Sequence, residues 1–418
     1  MSATGMKRRI NFLSICLLIT GAAVAQDTVS YSVTPTYDFI IPDTNIIHNS
    51  IALSTFYEKL YQTKKIKQSA VNVLQIGDSH TQADFASSTT RLLLQQEFGN
   101  AGRGLVFPGR VGRTNESPTL NSSSKGLWEN KRMIYVNQSL PIGIGAMTLR
   151  TNEPDASITL KTKPLASISY AFNKITFFFQ KDFSSYNVVV KDSAGQHLAY
   201  LGPYTVENTN ISKIQLLVST NQIEFQTLKS TPSQNQFTLY GINLENGQPG
   251  VLYHAVGGNG AKVRHYLEAA YFAEQSQVLT PDLIIISLGT NEAVDYPYVD
   301  PKFDTQLDTF VSQLKTKNPS ALFLFTTPAD FYKKKTRRNP GVEEIRTKLI
   351  AYADEHNHAY WDLYAIGGGS HSADLWKKNN LLQVDGIHFT KAGYQLHGSL
   401  LYEALIKGFN EYVRYRHP

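Results

Sequence analysis

Short apolar runs that end in polar residues recur along the chain and alternate with segments of helical periodicity. The first run, 71–76, precedes helical spacing over 81–98. From residue 250 onward, the predicted strands are 250–256, 281–288, 321–326 and 358–364, and the predicted helices are 262–275, 302–317, 342–356 and 391–413. Continuous apolar strands that alternate with helices are typical of a parallel sheet covered on both faces. The pattern therefore predicts an α/β domain built on a five-stranded parallel sheet.

The pattern differs between residues 132 and 244, where short β segments are separated by turn residues and no helical spacing intervenes. These segments are 157–161, 168–171, 174–179, 187–191, 213–218 and 236–240. Short strands with frequent turns predict an all-β sandwich that interrupts the α/β domain. The glycine-rich stretch 102–109 before it is predicted to be a loop. The aromatic residues of the insertion are predicted to form its core, and a glycan-binding surface is the second interpretation.

The first 25 residues are typical of a Sec-type signal peptide. Lys7, Arg8 and Arg9 precede an apolar stretch at 10–22, and Ala-Val-Ala at 23–25 offers a cleavage site before Gln26. This predicts a periplasmic or secreted protein, with an uncleaved anchor as the alternative. Cys16, the single cysteine, follows Ile15 where lipoprotein processing requires a small residue, so a lipoprotein is not expected.

The predicted organisation has five parts. They are a signal peptide (1–25), an N-terminal extension (26–69) with a helix around 51–64, a first α/β segment (70–112), the β insertion (113–246) and a second α/β segment (247–418). The net charge of +6 includes three basic residues of the signal peptide. The remainder is too weakly basic to predict a nucleic-acid partner, and no later run is long enough for a membrane helix. The sequence assigns no oligomeric state.

Polar residues that follow three of the predicted segments form the candidate site. Ser79 follows the first strand in Gly-Asp-Ser-His, and Asp385 and His388 share the segment Asp-Gly-Ile-His near the C-terminus. A serine hydroxyl becomes a nucleophile when a base removes its proton and a carboxylate orients that base. We therefore predict Ser79 as nucleophile, His388 as base and Asp385 as the orienting carboxylate.

The developing oxyanion of such a reaction needs donors that are fixed in advance. The N–H groups of Ser79 and Gly260 and the side chain of Asn291 are predicted to supply them, because both later residues follow predicted strands. Gly258 is an alternative to Gly260, since the loop contains an extra glycine. Each motif alone is weak, as Gly-Asp-Ser is a common turn. Their joint order is the stronger signal.

The order Ser79, Gly260, Asn291, Asp385 and His388 resembles that of the SGNH (GDSL-type) hydrolase superfamily. The resemblance covers 71–110 and 250–401, and it implies a three-layer αβα, flavodoxin-like domain and hydrolysis without a metal or cofactor. The segments 77–85 and 259–261 are similar to those of bacterial peptidoglycan O-acetylesterases, which insert a carbohydrate-binding-like β-sandwich. The usual Leu or Ile after the nucleophile is replaced here by His80, for which we expect a structural or supporting role.

The resemblance implies an exported esterase that removes O-acetyl groups from an acetylated glycan polymer, with peptidoglycan as the first substrate. The alternatives are an esterase acting on plant or host polysaccharides, an O-acyltransferase with the same triad, and a catalytically silent glycan-binding protein. Tyr296 and Tyr298 are weak candidates for sugar contacts. The basic segment 333–338 is either a solvated loop or an attractant for an anionic polymer. His356, His358 and His371 match no zinc motif, so we predict no metal site.

Overall fold

The computed structural model describes residues 27–31, 37–135, 139–203 and 210–416. The predicted signal peptide and Cys16 lie outside the described residues. Within those residues, none of the helices combines the length and apolar character needed to cross a membrane.

The strands, in chain order, are β1 (Ala70–Gly77), β2 (Gly102–Val106), β3 (Leu120–Lys125), β4 (Glu129–Arg132), β5 (Met147–Thr151), β6 (Ser157–Thr162), β7 (Phe172–Phe179), β8 (Asn187–Lys191), β9 (His197–Leu201), β10 (Ile211–Thr220), β11 (Gln222–Leu228), β12 (Phe237–Glu245), β13 (Gly250–Gly257), β14 (Leu283–Ser287), β15 (Leu322–Thr326), β16 (Tyr332–Lys333), β17 (Arg337–Arg338) and β18 (Ala359–Trp361). The helices are α1 (Ser54–Ile66), α2 (Ser79–Gln82), α3 (Phe85–Phe98), α4 (Val263–Leu267), α5 (Phe272–Ser276), α6 (Thr290–Val294), α7 (Phe303–Lys317), α8 (Gly341–Glu355), α9 (Leu363–Ile366), α10 (Ser372–Lys378) and α11 (Lys391–Arg416). Short 3₁₀ turns occur at Pro42–Thr44, Ser50–Leu53 and Gln277–Leu279.

The predicted five-stranded parallel sheet is present, with the strand order β13-β1-β14-β15-β18. Counting the strands along the α/β domain, this is the flavodoxin-like order 2-1-3-4-5. Gly77 at the end of β1 lies beside Gly257 of β13 and Ser287 of β14. The carboxyl ends of these three central strands therefore meet at one edge of the sheet.

The sheet is covered on both faces, which explains its uniformly apolar strands. In β14, Leu283 and Ile285 face one hydrophobic core, and Ile284 and Ile286 face the other. Helices α1, α3 and α11 pack on the first side, and α4, α5, α7 and α8 pack on the second. The α/β domain is thus a three-layer αβα structure, and the N-terminal extension packs into it through α1.

The insertion contains two antiparallel sheets, with the orders β10-β7-β12-β5-β4 and β3-β6-β11-β8-β9, and β2 pairs with β12. A core shared by both sheets includes Phe177, Phe225 and Phe237. The six-stranded sheet is buried on its other face as well, because Phe178 and Tyr240 pack into the core of the α/β domain. This double burial explains the three consecutive aromatic residues at 177–179, and it attaches the sandwich to the α/β domain.

Several local predictions were wrong. The loop expected at 102–109 contains strand β2, so antiparallel pairing begins at Gly102. The predicted strand 168–171 forms only an isolated bridge between Leu165 and Ile168. The predicted helices 81–98 and 262–275 are each divided in two, and the predicted strand 358–364 ends early and leads into α9. The first of these helices is broken at Asp84, whose φ of 55° lies in the left-handed region.

Candidate active site

Ser79 is positioned by a sharp passage from β1 to α2. Gly77 leaves no room for a side chain, because a Cβ at this position would lie 2.1 Å from Thr81 Oγ1. Asp78 then caps α2, and its Oδ1 accepts a hydrogen bond of 2.9 Å from the His80 N–H. Burial raises the pKa of Asp78 to about 6, although hydrogen bonds from the His80 N–H and the Thr290 side chain oppose the shift. The cap leaves Ser79 at the first position of the helix, at the carboxyl edge of the sheet.

The three predicted triad residues form a continuous chain of hydrogen bonds. Ser79 Oγ lies 2.9 Å from His388 Nε2, and His388 Nδ1 lies 2.8 Å from Asp385 Oδ2. The Ser79 hydroxyl and the Asp385 carboxylate therefore lie at opposite edges of the His388 imidazole. This is the geometry in which one ring nitrogen can accept the serine proton while the other is held by the carboxylate.

The segment that carries Asp385 and His388 is a turn rather than a helix. Gly386 within it has a φ of 74°, a left-handed conformation that suits glycine. Asp385 Oδ1 accepts hydrogen bonds from the N–H groups of Ile387 (2.9 Å) and His388 (3.0 Å). Partial burial alone would raise the pKa of Asp385, but the hydrogen bonds from Ile387 and His388 outweigh it and lower the pKa below its usual value. The carboxylate is thus held ionised and oriented.

The structure distinguishes between the two glycines proposed as oxyanion donors. The Gly258 N–H donates to the carbonyl of Gly77 at 3.3 Å. Within the described ranges, neither the Ser79 N–H nor the Gly260 N–H donates to another protein group. Gly260 has a φ of 80° and lines the same cleft as Ser79, whereas Gly258 does not line it. Gly260 is therefore the glycine with a donor available for a bound oxyanion.

Asn291 and its neighbour Glu292 attach α6 to the loop that carries Gly260. Asn291 Nδ2 donates to the Ala261 carbonyl at 2.9 Å, which leaves its second amide hydrogen available to the cleft. Glu292 Oε1 accepts a hydrogen bond of 2.8 Å from the Val263 N–H at the start of α4. Burial raises the pKa of Glu292 to about 7. Asn291 and Glu292 therefore hold the loop that carries the Gly260 N–H, and Asn291 also offers its own amide hydrogen to the cleft.

Comparisons with known proteins bear on the family resemblance and on the fold. The GDSL-like lipase/acylhydrolase family model matches residues 231–396, a range that contains Gly260, Asn291, Asp385 and His388 but not Ser79. The fold brings Ser79 to those four residues. The α/β domain has the fold of the GDSL/SGNH hydrolases. A comparison with curated protein sequences gave no significant match.

A solved peptidoglycan O-acetylesterase is similar in fold to this protein. It aligns with a TM-score of 0.71 and 21% identity, covering 88% of this chain and 98% of that chain. The aligned share is too large for the SGNH domain alone, so the likeness extends into the β insertion. An acetylxylan esterase from Geobacillus stearothermophilus aligns with a TM-score of 0.28 and 19% identity over 38% of this chain and 73% of that chain. A GDSL-like lipase from Bacteroides thetaiotaomicron aligns with a TM-score of 0.30 and 19% identity over 37% of this chain and 76% of that chain.

The site of this SGNH domain opens into a cleft of about 680 Å³. The insertion contributes to it, because Asn115 from the segment between β2 and β3 is one of its lining residues. Gln82 Nε2 holds that segment by donating to Thr114 Oγ1 and to the Asn115 carbonyl, both at 3.0 Å. Sequence reasoning did not single out Asn115. It lies in a polar stretch without periodicity, where no pattern distinguishes a cleft residue from a solvated one.

The two tyrosines suggested as sugar contacts are not among the residues that line this cleft. Tyr298 is 86% exposed. The ring of Tyr296 instead lies beneath the ammonium of Lys333, which is 5.7 Å from the ring centroid. Phe85 and Tyr394 are the aromatic residues that line the cleft.

His80 lies behind the triad rather than in its hydrogen-bond chain. Its ring centroid is 5.3 Å from that of His388, and its Nδ1 shares a hydrogen bond of 3.2 Å with the hydroxyl of Tyr394. Burial, reinforced by the charge of His388, lowers the pKa of His80 to about 3. A neutral His80 therefore packs against the ring of His388.

A buried ion cluster anchors the segment after the nucleophile. Asp84 accepts hydrogen bonds from Arg91 (2.8 Å), Arg103 (2.5 Å), Ser87 (2.6 Å) and Ser117 (2.6 Å). Arg91 lies on α3, whereas Arg103 lies on β2 and Ser117 lies near Asn115. The cluster therefore links the nucleophile segment to the insertion at the point where the insertion reaches the cleft.

The described residues contain no group of three or more His, Cys, Asp or Glu side chains arranged to hold a metal ion.

Proposed function

We propose that this SGNH protein is an exported serine esterase that removes O-acetyl groups from a carbohydrate polymer, with peptidoglycan as its first substrate. The observation that carries the proposal is the Ser79–His388–Asp385 hydrogen-bond chain, placed at one cleft with three available oxyanion donors. The fold likeness to a peptidoglycan O-acetylesterase, which extends into the insertion, supports a polymeric glycan as the substrate.

The first half of the reaction forms an acetyl-enzyme. Ser79 Oγ attacks the acetyl carbonyl carbon while His388 Nε2 accepts the hydroxyl proton, and Asp385 stabilises the resulting imidazolium. The carbonyl oxygen becomes an oxyanion that accepts hydrogen bonds from the N–H groups of Ser79 and Gly260 and from the Asn291 amide. The intermediate collapses when the bond to the sugar oxygen breaks, and His388 transfers its proton to that oxygen.

The second half regenerates the enzyme. A water molecule loses a proton to His388 and attacks the acetyl group on Ser79, and the same donors stabilise the second oxyanion. The bond to Ser79 Oγ then breaks, His388 returns the proton to it, and acetate leaves. Each proton that His388 accepts is therefore delivered within the same half-reaction.

The test measures acetate released from O-acetylated peptidoglycan and from acetylated xylan. Wild-type protein is compared with Ser79→Ala and with the control Ser312→Ala, an exposed serine on α7. We expect release from peptidoglycan by the wild type and the control, and a loss of about 10³-fold or more in Ser79→Ala. Release from xylan alone would instead support a different polysaccharide substrate.

Three further outcomes would contradict the proposal. Acetyl transfer to an added sugar acceptor, without free acetate in its absence, would identify an acyltransferase. Polymer binding by the wild type with no acetate release would identify a glycan-binding protein. Unchanged hydrolysis in Ser79→Ala would remove Ser79 from the mechanism.

A further inference from the structure

A basic hairpin adjoins the turn that carries the triad histidine. Its strands β16 and β17 span the segment Lys333-Lys334-Lys335-Thr336-Arg337-Arg338, which has five basic residues in six positions. The Tyr332 N–H at its base donates a hydrogen bond of 2.8 Å to the carbonyl of Gly386. The ring of Tyr332 also packs on Gly386, where an added Cβ would lie 2.7 Å from it. The hairpin and the His388 turn are thus in direct contact.

The other side of the hairpin reaches the segment that follows Asn291. The Lys333 ammonium lies 5.7 Å from the centroid of the Tyr296 ring, within the range of a cation–π contact. The hairpin therefore spans the two segments that supply the triad base and one oxyanion donor. Cleft residues Ile387 and Val294 belong to these same segments. This position places the hairpin at the rim of the cleft.

Most of the positive charge of the hairpin is uncompensated. Arg338 pairs with Glu343 at 2.5 Å, but within the described residues no ion pair involves Lys333, Lys334, Lys335 or Arg337. Residues 334–338 are exposed. Lys377 adds a further cation beside the hairpin, 5.3 Å from the ring centroid of Tyr332. The nearby Asp374 carboxylate accepts a hydrogen bond from the hydroxyl of Tyr332.

The cleft itself carries little charge. Apart from His388, its lining residues are apolar or neutral polar, including Asn115, Asn259 and Gln383. A neutral acetyl ester suits such a lining, whereas the hairpin would attract negative charge elsewhere on the same substrate. Exposed cations at the entrance of a site raise the local concentration and the association rate of an anionic ligand.

We propose that this hairpin, residues 333–338, is a substrate-binding surface for carboxylates borne by the acetylated glycan polymer. The proposal rests on the proposed function, which it deepens by naming an anionic glycan as the substrate class. The hairpin residues are all cationic or hydroxylic, so they offer no apolar side chain for insertion into a lipid surface. A carboxylate-bearing polymer that extends from the cleft would meet the hairpin directly.

The test measures binding to insoluble O-acetylated peptidoglycan by co-sedimentation, in a Ser79→Ala background so that no deacetylation is required. The hairpin variant combines Lys334→Glu, Lys335→Glu and Arg337→Glu. A control variant with the same charge change combines Lys125→Glu, Lys161→Glu and Lys229→Glu, which are exposed residues of the insertion. Thermal unfolding of both variants checks that each one folds.

At about 50 mM salt, we expect the hairpin variant to bind at least about tenfold more weakly than the control variant. The difference should nearly disappear at about 1 M salt, where the screening length falls to about 3 Å. Peptidoglycan whose carboxyl groups have been converted to amides should bind the unsubstituted hairpin as weakly as native peptidoglycan binds the variant.

Equal weakening in the two charge-reversal variants would overturn the assignment to the hairpin. Binding that is unaffected by amidation would show that carboxylates are not the ligand. Tighter hairpin-dependent binding to anionic phospholipid vesicles than to peptidoglycan would indicate a membrane surface instead. These outcomes are distinct from a failure of the esterase proposal, because acetate release is measured separately with Ser79 intact.

Discussion

Substitution of Asp84 by asparagine tests whether the buried cluster holds the insertion against the SGNH domain. The Arg91 and Arg103 side chains are 0% and 3% exposed, so water cannot replace the carboxylate beside them. Removing one partner from a buried ion pair costs about 3–5 kcal/mol, because the remaining charge is uncompensated. An asparagine oxygen still accepts one hydrogen bond, so we expect Asp84→Asn to lower the free energy of unfolding by about 3 kcal/mol.

The assay is chemical denaturation followed by tryptophan fluorescence, which reports on both units because Trp128 lies in the insertion and Trp361 in the SGNH domain. The control is Asp304→Asn, which removes the exposed partner of Lys348 and should cost less than about 1 kcal/mol. An Asp84→Asn loss as small as that of the control would refute the reasoning.

The same variant makes a prediction about pH. Burial alone would raise the pKa of Asp84, but Arg91 and Arg103 attract its charge and lower the pKa well below its usual value. A carboxyl with a lowered folded-state pKa stabilises the protein fully above its unfolded pKa of about 4. The wild-type advantage over Asp84→Asn should therefore be complete at pH 7 and decrease as the pH falls below about 4. An advantage that does not vary with pH would exclude charge as its source.

Three further substitutions test the site itself. Asp385→Asn should lower kcat by about 10⁴-fold in steady-state acetate release, because an amide does not hold His388 in the required tautomer; a fall of less than about tenfold would contradict the triad. Asn291→Ala should lower kcat by about 10²–10³-fold through loss of an oxyanion donor, whereas an increase in KM alone would assign Asn291 to ground-state binding. Burial raises the pKa of Asp78 from 3.8 to about 6, so its ionisation destabilises the fold as the pH rises through that interval. The stability of Asp78→Asn relative to the wild type should therefore improve by about 3 kcal/mol between pH 4 and pH 7 in denaturant titrations, and no change would contradict a buried carboxyl.

The parallel sheet could be predicted because its strands are buried on both faces and therefore read as continuous apolar runs. The strand 283–287 and the helix 303–317 were placed within a few residues of their observed bounds. The prediction was wrong where long-range contacts override local preference. The spacing of 81–98 is helical throughout, but Asp84 adopts a left-handed conformation in contact with Arg103, which lies beyond the end of that helix on β2. Strand β2 was missed because glycines are typical of loops, and its β conformation depends on pairing with β12, which is distant in sequence.

The candidate site was predicted through residue types at strand ends, and the structure places Ser79, Asp385 and His388 in one chain of hydrogen bonds. The choice between Gly258 and Gly260 could not be made from sequence, because it depends on which N–H is already bonded. The carbonyl of Gly77 occupies the Gly258 donor, and that contact exists only when β1 and β13 are adjacent. The cleft residue Asn115 likewise depends on a side-chain contact with Gln82 that no periodicity encodes.

The place of the insertion explains how one site can be divided by more than a hundred residues. The chain leaves the α/β domain after α3 and returns at β13, and an isolated bridge joins Asn100 to Val251 at this junction. The exit and return strands, β2 and β12, pair with each other, so the insertion closes on itself without widening the gap between β1 and β13. Because Gly77 lies beside Gly257, the pairing of β1 with β13 holds the nucleophile and the Gly260 loop at neighbouring strand ends. The sandwich can therefore supply Asn115 to the cleft while the strand ends continue to fix the reacting groups.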